Sequence, residues 1–138
     1  MVRANIPLAI VEGGTYNKTF QWKTGNPASA VDLDGFTARM QIRSTLRSED
    51  VLLDMPFIAD PWVADGETGL YIYDQSVPED IGKYRIYIRD NDSLGLCTTH
   101  RDISAVYDLF LVSADNESVL QQYGTVTIYA AATRSPLT

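Results

Sequence analysis

The sequence predicts an all-β fold, and three observations carry that prediction. No segment keeps a helical period of apolar residues over the ~11–18 positions that an amphipathic helix needs. Several short segments instead alternate between apolar and polar residues, which places one row of side chains against a core and the other in water. Residues typical of turns separate these segments. About seven or eight antiparallel strands at this spacing indicate a sandwich or a barrel.

The first half of the chain contains the clearest strand. Over residues 36–43 every second side chain is apolar, from Phe36 to Ile42, and the residues between them are polar. Residues 16–23 alternate in the same way, and only Lys18 interrupts the apolar face. Residues 6–11 and 51–55 are predicted as two further strands, because both are short apolar runs next to turn residues.

The second half of the chain adds four predicted strands, over residues 70–74, 84–89, 107–112 and 119–130. In the first of them Tyr71 and Tyr73 should face away from Leu70 and Ile72. The third is apolar on both faces after Asp108, which is typical of a central strand. Residues 114–117 are predicted as a hairpin loop, and residues 90–104 as a loop with one helical turn. The inward rows predict a core whose central members are Trp22, Phe36, Ile42, Ile86, Leu109 and Ile128.

The length of the chain and its net charge limit the classes of protein to which it can belong. A chain of 138 residues is expected to form one domain over residues 1–138. The net charge of −7 argues against nucleic acid as a partner, because binding a polyanion requires a basic surface. No apolar run approaches the ~20 residues that span a bilayer, so no membrane partner is expected. The N-terminal stretch is too weak for a secretory signal, so we expect synthesis without export.

No catalytic, cofactor or metal site is predicted. Cys97 and His100 stand three positions apart, but a structural zinc site needs four ligands and the chain has one Cys and one His. Asp90 opens a sequence like that of a calcium loop, yet the twelfth position, which needs a Glu, is Arg101. We therefore predict a protein that is not an enzyme, while a small hydrolase using Asp or Glu stays open as an alternative.

Two sets of residues are candidates for a partner interface. Arg39 and Arg43 lie on the polar row of the clearest strand, and they would form a basic stripe with Arg85 and Arg89 if the two strands were neighbours. Otherwise this row is an ordinary solvated face. The second set lies in the Pro-bounded segment 55–63, which either packs over one end of the core or forms a contact patch for another chain. Its members are Phe57, Ile58 and Trp62.

The sequence also resembles a known family. The segments that carry the resemblance are EGGTY at 12–16, FQWK at 20–23, VDLDGFTARMQIR at 31–43, VYDLFLV at 106–112 and GTVTI at 124–128, with TR at 133–134. Together they are similar to small structural proteins of tailed bacteriophages and prophages, including the N-terminal domain of phage baseplate upper proteins. In that family the strand with Tyr-Asp-Leu, here Tyr107-Asp108-Leu109, and the following hairpin close an immunoglobulin-like β-sandwich.

The resemblance implies a structural role in a virion. We expect an immunoglobulin-like sandwich with a loop and strand insertion at about residues 56–104, where the chain departs from the family. Its partners would be other virion proteins of the tail, baseplate or fibre-attachment region, bound in many copies and with symmetry. The protein would be made in the host cytoplasm and reside in the virion. A capsid decoration protein and a carbohydrate-binding module for host attachment remain the alternatives.

Overall fold

The computed structural model describes residues 4–97 and 101–131, and within these ranges the prediction of an all-β fold is confirmed. No helical segment there has the length and apolar character needed to cross a membrane. Eight of the described strands have four residues or more, and three have two. The strands are β1 (Ala4–Asn5), β2 (Leu8–Val11), β3 (Tyr16–Gln21), β4 (Lys23–Thr24), β5 (Ser29–Ala30), β6 (Thr37–Arg43), β7 (Val51–Met55), β8 (Gly69–Ile72), β9 (Lys83–Ile88), β10 (Ile103–Val112) and β11 (Ser118–Tyr129), with a 3₁₀ turn at Pro78–Asp80 and one helical turn, α1, at Asp90–Ser93.

The larger sheet has six strands in the order β1-β11-β10-β6-β7, and β2 pairs with β11 beside β1. The strand predicted to be central, β10, lies between β6 and β11. A tight turn joins β10 to β11, and Asn116 adopts a φ of 64° there, as expected for an Asn in a hairpin loop. The prediction of a hairpin at residues 114–117 is therefore confirmed.

The N-terminal strands correct the prediction of a purely antiparallel fold. Ala4 of β1 pairs with Gln122, and Leu8 of β2 pairs with Val126, both in parallel with β11. Parallel neighbours need a long connection, and almost the whole chain lies between these strands. Pro7, which has no N–H to donate, stands between β1 and β2. Because period-two alternation is the same in both pairings, the sequence pattern could not distinguish them.

The smaller sheet has three antiparallel strands in the order β3-β9-β8, and β4 and β5 form a separate hairpin. Residues 56–104, predicted as a family insertion, supply both β8 and β9, so this segment is an integral part of the sheet. The strand predicted over residues 16–23 divides at Trp22. The backbone N–H of Trp22 donates to the Gly82 carbonyl over 2.9 Å.

Inward side chains of both sheets form one continuous buried cluster. Four of the six predicted central members are fully buried: Ile42, Ile86, Leu109 and Ile128. The other two, Trp22 and Phe36, lie just outside strands and are only half-buried. They pack against the rim of the core, where their rings meet edge to face with centroids 6.3 Å apart.

The loop predicted over residues 90–104 is shorter than expected. Its predicted helical turn is confirmed as α1, and Ser93 at its end is fully buried. The Ser93 hydroxyl accepts from the Gly13 N–H over 3.0 Å and donates to the Gly14 carbonyl over 2.8 Å. However, β10 already begins at Ile103, because Ile103 and Ala105 continue its inward row.

Candidate functional site

The residues predicted as interface candidates lie on two separate surfaces. Arg39 and Arg43 lie on β6 in the larger sheet. Phe57, Ile58 and Trp62 lie in the segment that runs toward and over the smaller sheet.

The outer face of the larger sheet is built from the outward rows of β6, β10 and β11. Cross-strand pairing places Arg39, Phe110 and Leu120 in one row. Arg43, Val106 and Thr125 form another row, and Gln41, Asp108 and Tyr123 lie between the two. Most of these side chains are exposed or half-exposed, so apolar, cationic and anionic groups share one accessible sheet face. We call these three rows the docking face.

The two arginines of the docking face have different surroundings. The exposed Arg39 guanidinium stacks over the Phe110 ring, 4.8 Å from its centroid, and within the described ranges it forms no ion pair. Arg43 is half-buried and donates to the Ser48 carbonyl over 2.7 Å and to Gln41 Oε1 over 2.6 Å. Arg43 is thus held by its own neighbours, whereas Arg39 is open to a partner.

The condition for a basic stripe, that the two strands be neighbours, is not met. Arg39 and Arg43 lie on β6 in the larger sheet, whereas Arg85 lies on β9 in the smaller one. Arg89 directly follows β9. Strands of different sheets are not neighbours, so the four guanidinium groups do not share a row. The alternative of an ordinary row with mixed charges fits β6 instead.

For Phe57 and Ile58, the structure favours packing over exposure. Phe57 packs against the core, and the Ile58 N–H donates to the Leu70 carbonyl over 2.9 Å along the open side of β8. Gly69 makes this close approach possible, because a Cβ there would lie 2.6 Å from Ile58 Cδ1 and 2.7 Å from the Pro56 carbonyl oxygen. Both side chains are half-buried, so they close the sheet edge.

Trp62 packs over the outer face of the smaller sheet, rather than over an end of the core. Its ring meets Tyr87 edge to face at 5.6 Å, and the Arg85 guanidinium lies 3.8 Å from its centroid. The same guanidinium lies 5.2 Å from the centroid of the Tyr73 ring. Trp62 and Arg85 thus form the centre of an aromatic cluster outside the shared core.

An open groove of about 330 Å³ runs beside this cluster. We call it the aromatic groove. The lining residues that matter for its chemistry are Pro61, Trp62, Tyr71, Tyr73, Asp74 and Arg85. Sequence reasoning named Trp62 as an interface candidate and Arg85 as a conditional member of a basic stripe, but it did not bring the two together. The alternation of residues 70–74 did place Tyr71 and Tyr73 on the face opposite Leu70, and this was the available signal.

Hydrogen bonds fix the polar groups of the aromatic groove. The Tyr73 hydroxyl lies 2.6 Å from Thr19 Oγ1 and accepts from Arg85 Nη2 over 2.6 Å, while Arg85 Nη1 donates to Asn17 Oδ1 over 2.8 Å. The Ser76 hydroxyl and N–H both donate to Asp74 and lower the pKa of its carboxyl group. Burial raises the pKa of the Tyr71 hydroxyl, which donates to the Glu67 carbonyl.

The other sequence motifs do not form a site in the described residues. Cys97 is buried, its N–H donates to Glu12 Oε2 over 3.1 Å, and burial raises the pKa of its thiol. His100 lies outside the described residues, so the Cys97–His100 pair stays undescribed. Asp90 begins the α1 turn rather than a calcium loop. Residues 4–97 and 101–131 contain no group of three or more potential metal ligands placed to share an ion.

Comparison with known proteins adds no identity. No protein-family model matches the chain, and no significant match was found among curated proteins.

Proposed function

We propose that this chain is a non-enzymatic structural protein of a tailed-bacteriophage virion. It acts as a docking or adaptor component of the tail, baseplate or fibre-attachment region. Its partners are other virion proteins, and it works in many copies within a symmetric assembly. The proposal joins the sequence resemblance to one structural observation, which is the composition of the docking face.

The finer fold in this proposal is an immunoglobulin-like β-sandwich. Its two sheets share one buried cluster, which is the arrangement that a sandwich requires. Tyr107-Asp108-Leu109 lies on β10, which leads into the β10–β11 hairpin as in the family that the sequence resembles. The parallel pairing of β1 and β2 with β11 is an addition to the antiparallel framework.

The docking face has the composition of a protein–protein interface. Arg and aromatic side chains are enriched where binding energy concentrates, and Arg39 stacked on Phe110 is such a pair. Leu120 continues the apolar surface in the same row. Mixed charges nearby, including Asp108, would select the orientation of a partner.

An open sheet edge adjoins this face. Within the described residues β7 pairs only with β6, so its second side is free for a strand from a neighbouring chain. The corresponding side of β8 differs, since Pro56 and Ile58 hydrogen-bond to Leu70 there. Repetition in a symmetric assembly would multiply each modest contact.

The test is to find the chain in particles of the phage that encodes it. Electron microscopy of purified virions should place it at the tail, baseplate or fibre attachment. Phe110→Ser should reduce incorporation at least severalfold while the variant remains folded by circular dichroism. Leu94→Ser, at an exposed position outside both sheets, is the matched control and should incorporate normally. Virions that lack the protein would refute the proposal.

Two alternatives have different outcomes in the same experiment. A capsid decoration protein would use similar surfaces but appear on the capsid shell. A carbohydrate-binding module needs aromatic rings outside the core, and the aromatic groove is the observation that favours it.

A further inference from the structure

We propose that the aromatic groove on the smaller sheet binds a neutral sugar in its pyranose form. The docking face lies on the larger sheet, so this inference does not rest on the virion proposal. Each can fail while the other stands.

The aromatic residues of the protein lie in two different surroundings. Core packing accounts for Tyr16, Tyr84 and Tyr107, which belong to the shared buried cluster. It does not account for Trp62 and Tyr73, which lie outside that cluster, are only partly buried and line the groove. Behind Trp62 the buried Tyr87 ring meets both Trp62 and Tyr71 edge to face. An aromatic cluster beside an open groove offers the flat apolar surface on which the C–H face of a sugar ring stacks.

The side chains that line the groove are already held in place by their neighbours. The Arg85 guanidinium contacts both the Trp62 and the Tyr73 ring and is also hydrogen-bonded to Asn17, so several contacts fix its position. The Tyr73 hydroxyl is in turn hydrogen-bonded to the Thr19 hydroxyl. A site fixed in advance loses little conformational freedom when a ligand binds.

The residues that line the groove have hydrogen-bonding groups without a partner among the described residues. Trp62 Nε1 and Arg85 Nε are buried donors with no acceptor among the described residues. Asp74 receives both Ser76 hydrogen bonds on Oδ1, and its Oδ2 accepts none from the described residues. Buried polar groups are normally paired, so a ligand in the groove would serve as the partner of these donors. That partner must both accept and donate.

This requirement separates ligand classes. Sugar hydroxyls accept and donate, and the ring carbons supply an apolar face. Ionised carboxylates and phosphodiesters only accept, so they cannot pair with Asp74, and the net charge of −7 repels them. A proline-rich segment also fits aromatic grooves, but its prolines have no N–H to donate to Asp74. The volume of about 330 Å³ is at the small end of ligand sites, which suits one short oligosaccharide segment.

The experiment is an NMR titration of the full chain with glucose, galactose, mannose and N-acetylglucosamine and their disaccharides. The chain has two tryptophans, and Trp22→Phe assigns the Trp62 indole N–H. We expect at least one sugar to shift the Trp62 indole and Arg85 Nε–H signals in a saturable way, with a Kd of about 1 mM. The Trp22 signal should not move, because Trp22 does not line the aromatic groove.

Variants give a second readout. Asp74 is exposed, so Asp74→Asn should keep the fold and weaken binding about tenfold, whereas Asp54→Asn on β7 is the matched control and should bind normally. No saturable shift with any sugar would overturn the inference, as would unchanged affinity in Asp74→Asn. Saturation of the groove by a polyproline peptide or by glucuronate in place of neutral sugars would also overturn it.

Discussion

Gln122 on β11 donates from Nε2 to the phenolic oxygen of Tyr107 on β10 over 2.9 Å, deep inside the core. The Tyr107 hydroxyl donates onward to the Ile6 carbonyl over 2.6 Å, and Tyr84 of the smaller sheet donates to Gln122 Oε1. A bulge that leaves Gln121 unpaired between Leu120 and Gln122 turns the Gln122 side chain inward. One buried amide therefore links both sheets and the N-terminal segment.

We predict that Gln122→Leu lowers the free energy of unfolding by about 1–3 kcal/mol. The substitution keeps an apolar side chain in the core but leaves the Tyr84 hydroxyl without its acceptor. Urea unfolding followed by circular dichroism measures the loss. Thr125→Ala, at an exposed position on the same strand, is the control and should change stability by less than about 0.5 kcal/mol. Equal effects at the two positions would contradict the role of the linked network.

Because three tyrosines are buried in the core, we expect the free energy of unfolding to fall at alkaline pH. Burial raises the pKa of Tyr16 to about 12, and it also raises the pKa of Tyr84 and of Tyr107. Unfolded tyrosines ionise near pH ~10. A tyrosine whose pKa is raised in the folded state makes its full contribution to stability below its unfolded pKa. That contribution is lost as the pH rises from the unfolded pKa to the folded pKa.

For Tyr16 the window of loss lies between pH ~10 and about 12, with a slope of up to about 1.4 kcal/mol per pH unit. Urea unfolding at a series of pH values from neutral to alkaline measures the slope, and phenolate absorbance reports the ionisation. Tyr16→Phe should make the curve shallower. An unfolding free energy that stays constant across this window would be inconsistent with neutral buried phenols.

Alanine substitutions at two glycines distinguish the stability cost of backbone strain from the cost of steric crowding. Gly82 has a φ of +83°, and a Cβ there would lie 2.7 Å from the Trp22 carbonyl oxygen. Gly95 has a φ of +84° but no atom within 4 Å of such a Cβ. We expect Gly95→Ala to cost about 1 kcal/mol for backbone conformation alone, and Gly82→Ala to cost at least about 1 kcal/mol more. Thermal and urea unfolding of both variants test this, and similar losses would show that crowding at Gly82 is relieved cheaply.

The strands were predictable where one face is buried and the other solvated. The alternation from Phe36 to Ile42 is complete, and β6 begins within one residue of its predicted start. Partners between strands were not predictable, because a period of two says which side chains share a face and nothing about the neighbouring strand. For this reason the sequence pattern was compatible with a stripe containing both Arg39 and Arg85. In the structure the two residues lie in different sheets.

The aromatic groove was only partly predictable for a related reason. Trp62 was singled out by its apolar, Pro-bounded segment, but that segment has no period that would indicate where it folds. Its position over Tyr87 and Arg85 depends on the chain returning across the outer face of β9, which is a tertiary event. The facing of Tyr73 was predictable, whereas the contact between Tyr73 and Arg85 was not.

Cys97 provides a probe of core opening, since it is the one cysteine in the chain. Its side chain is 1% exposed, with Sγ 3.4 Å from the Ile128 carbonyl oxygen. Burial, and then the nearby Glu12 and Asp102 carboxylates, raise the pKa of the thiol and so reduce the reactive thiolate. We expect labelling by a disulfide reagent at pH 8 to be at least about 100-fold slower in the native protein than in urea.

If labelling of Cys97 requires global opening, Gln122→Leu should accelerate it about 5- to 150-fold, in proportion to the stability that this variant loses. Rapid stoichiometric labelling of the native protein would show that Cys97 is accessible without opening the core.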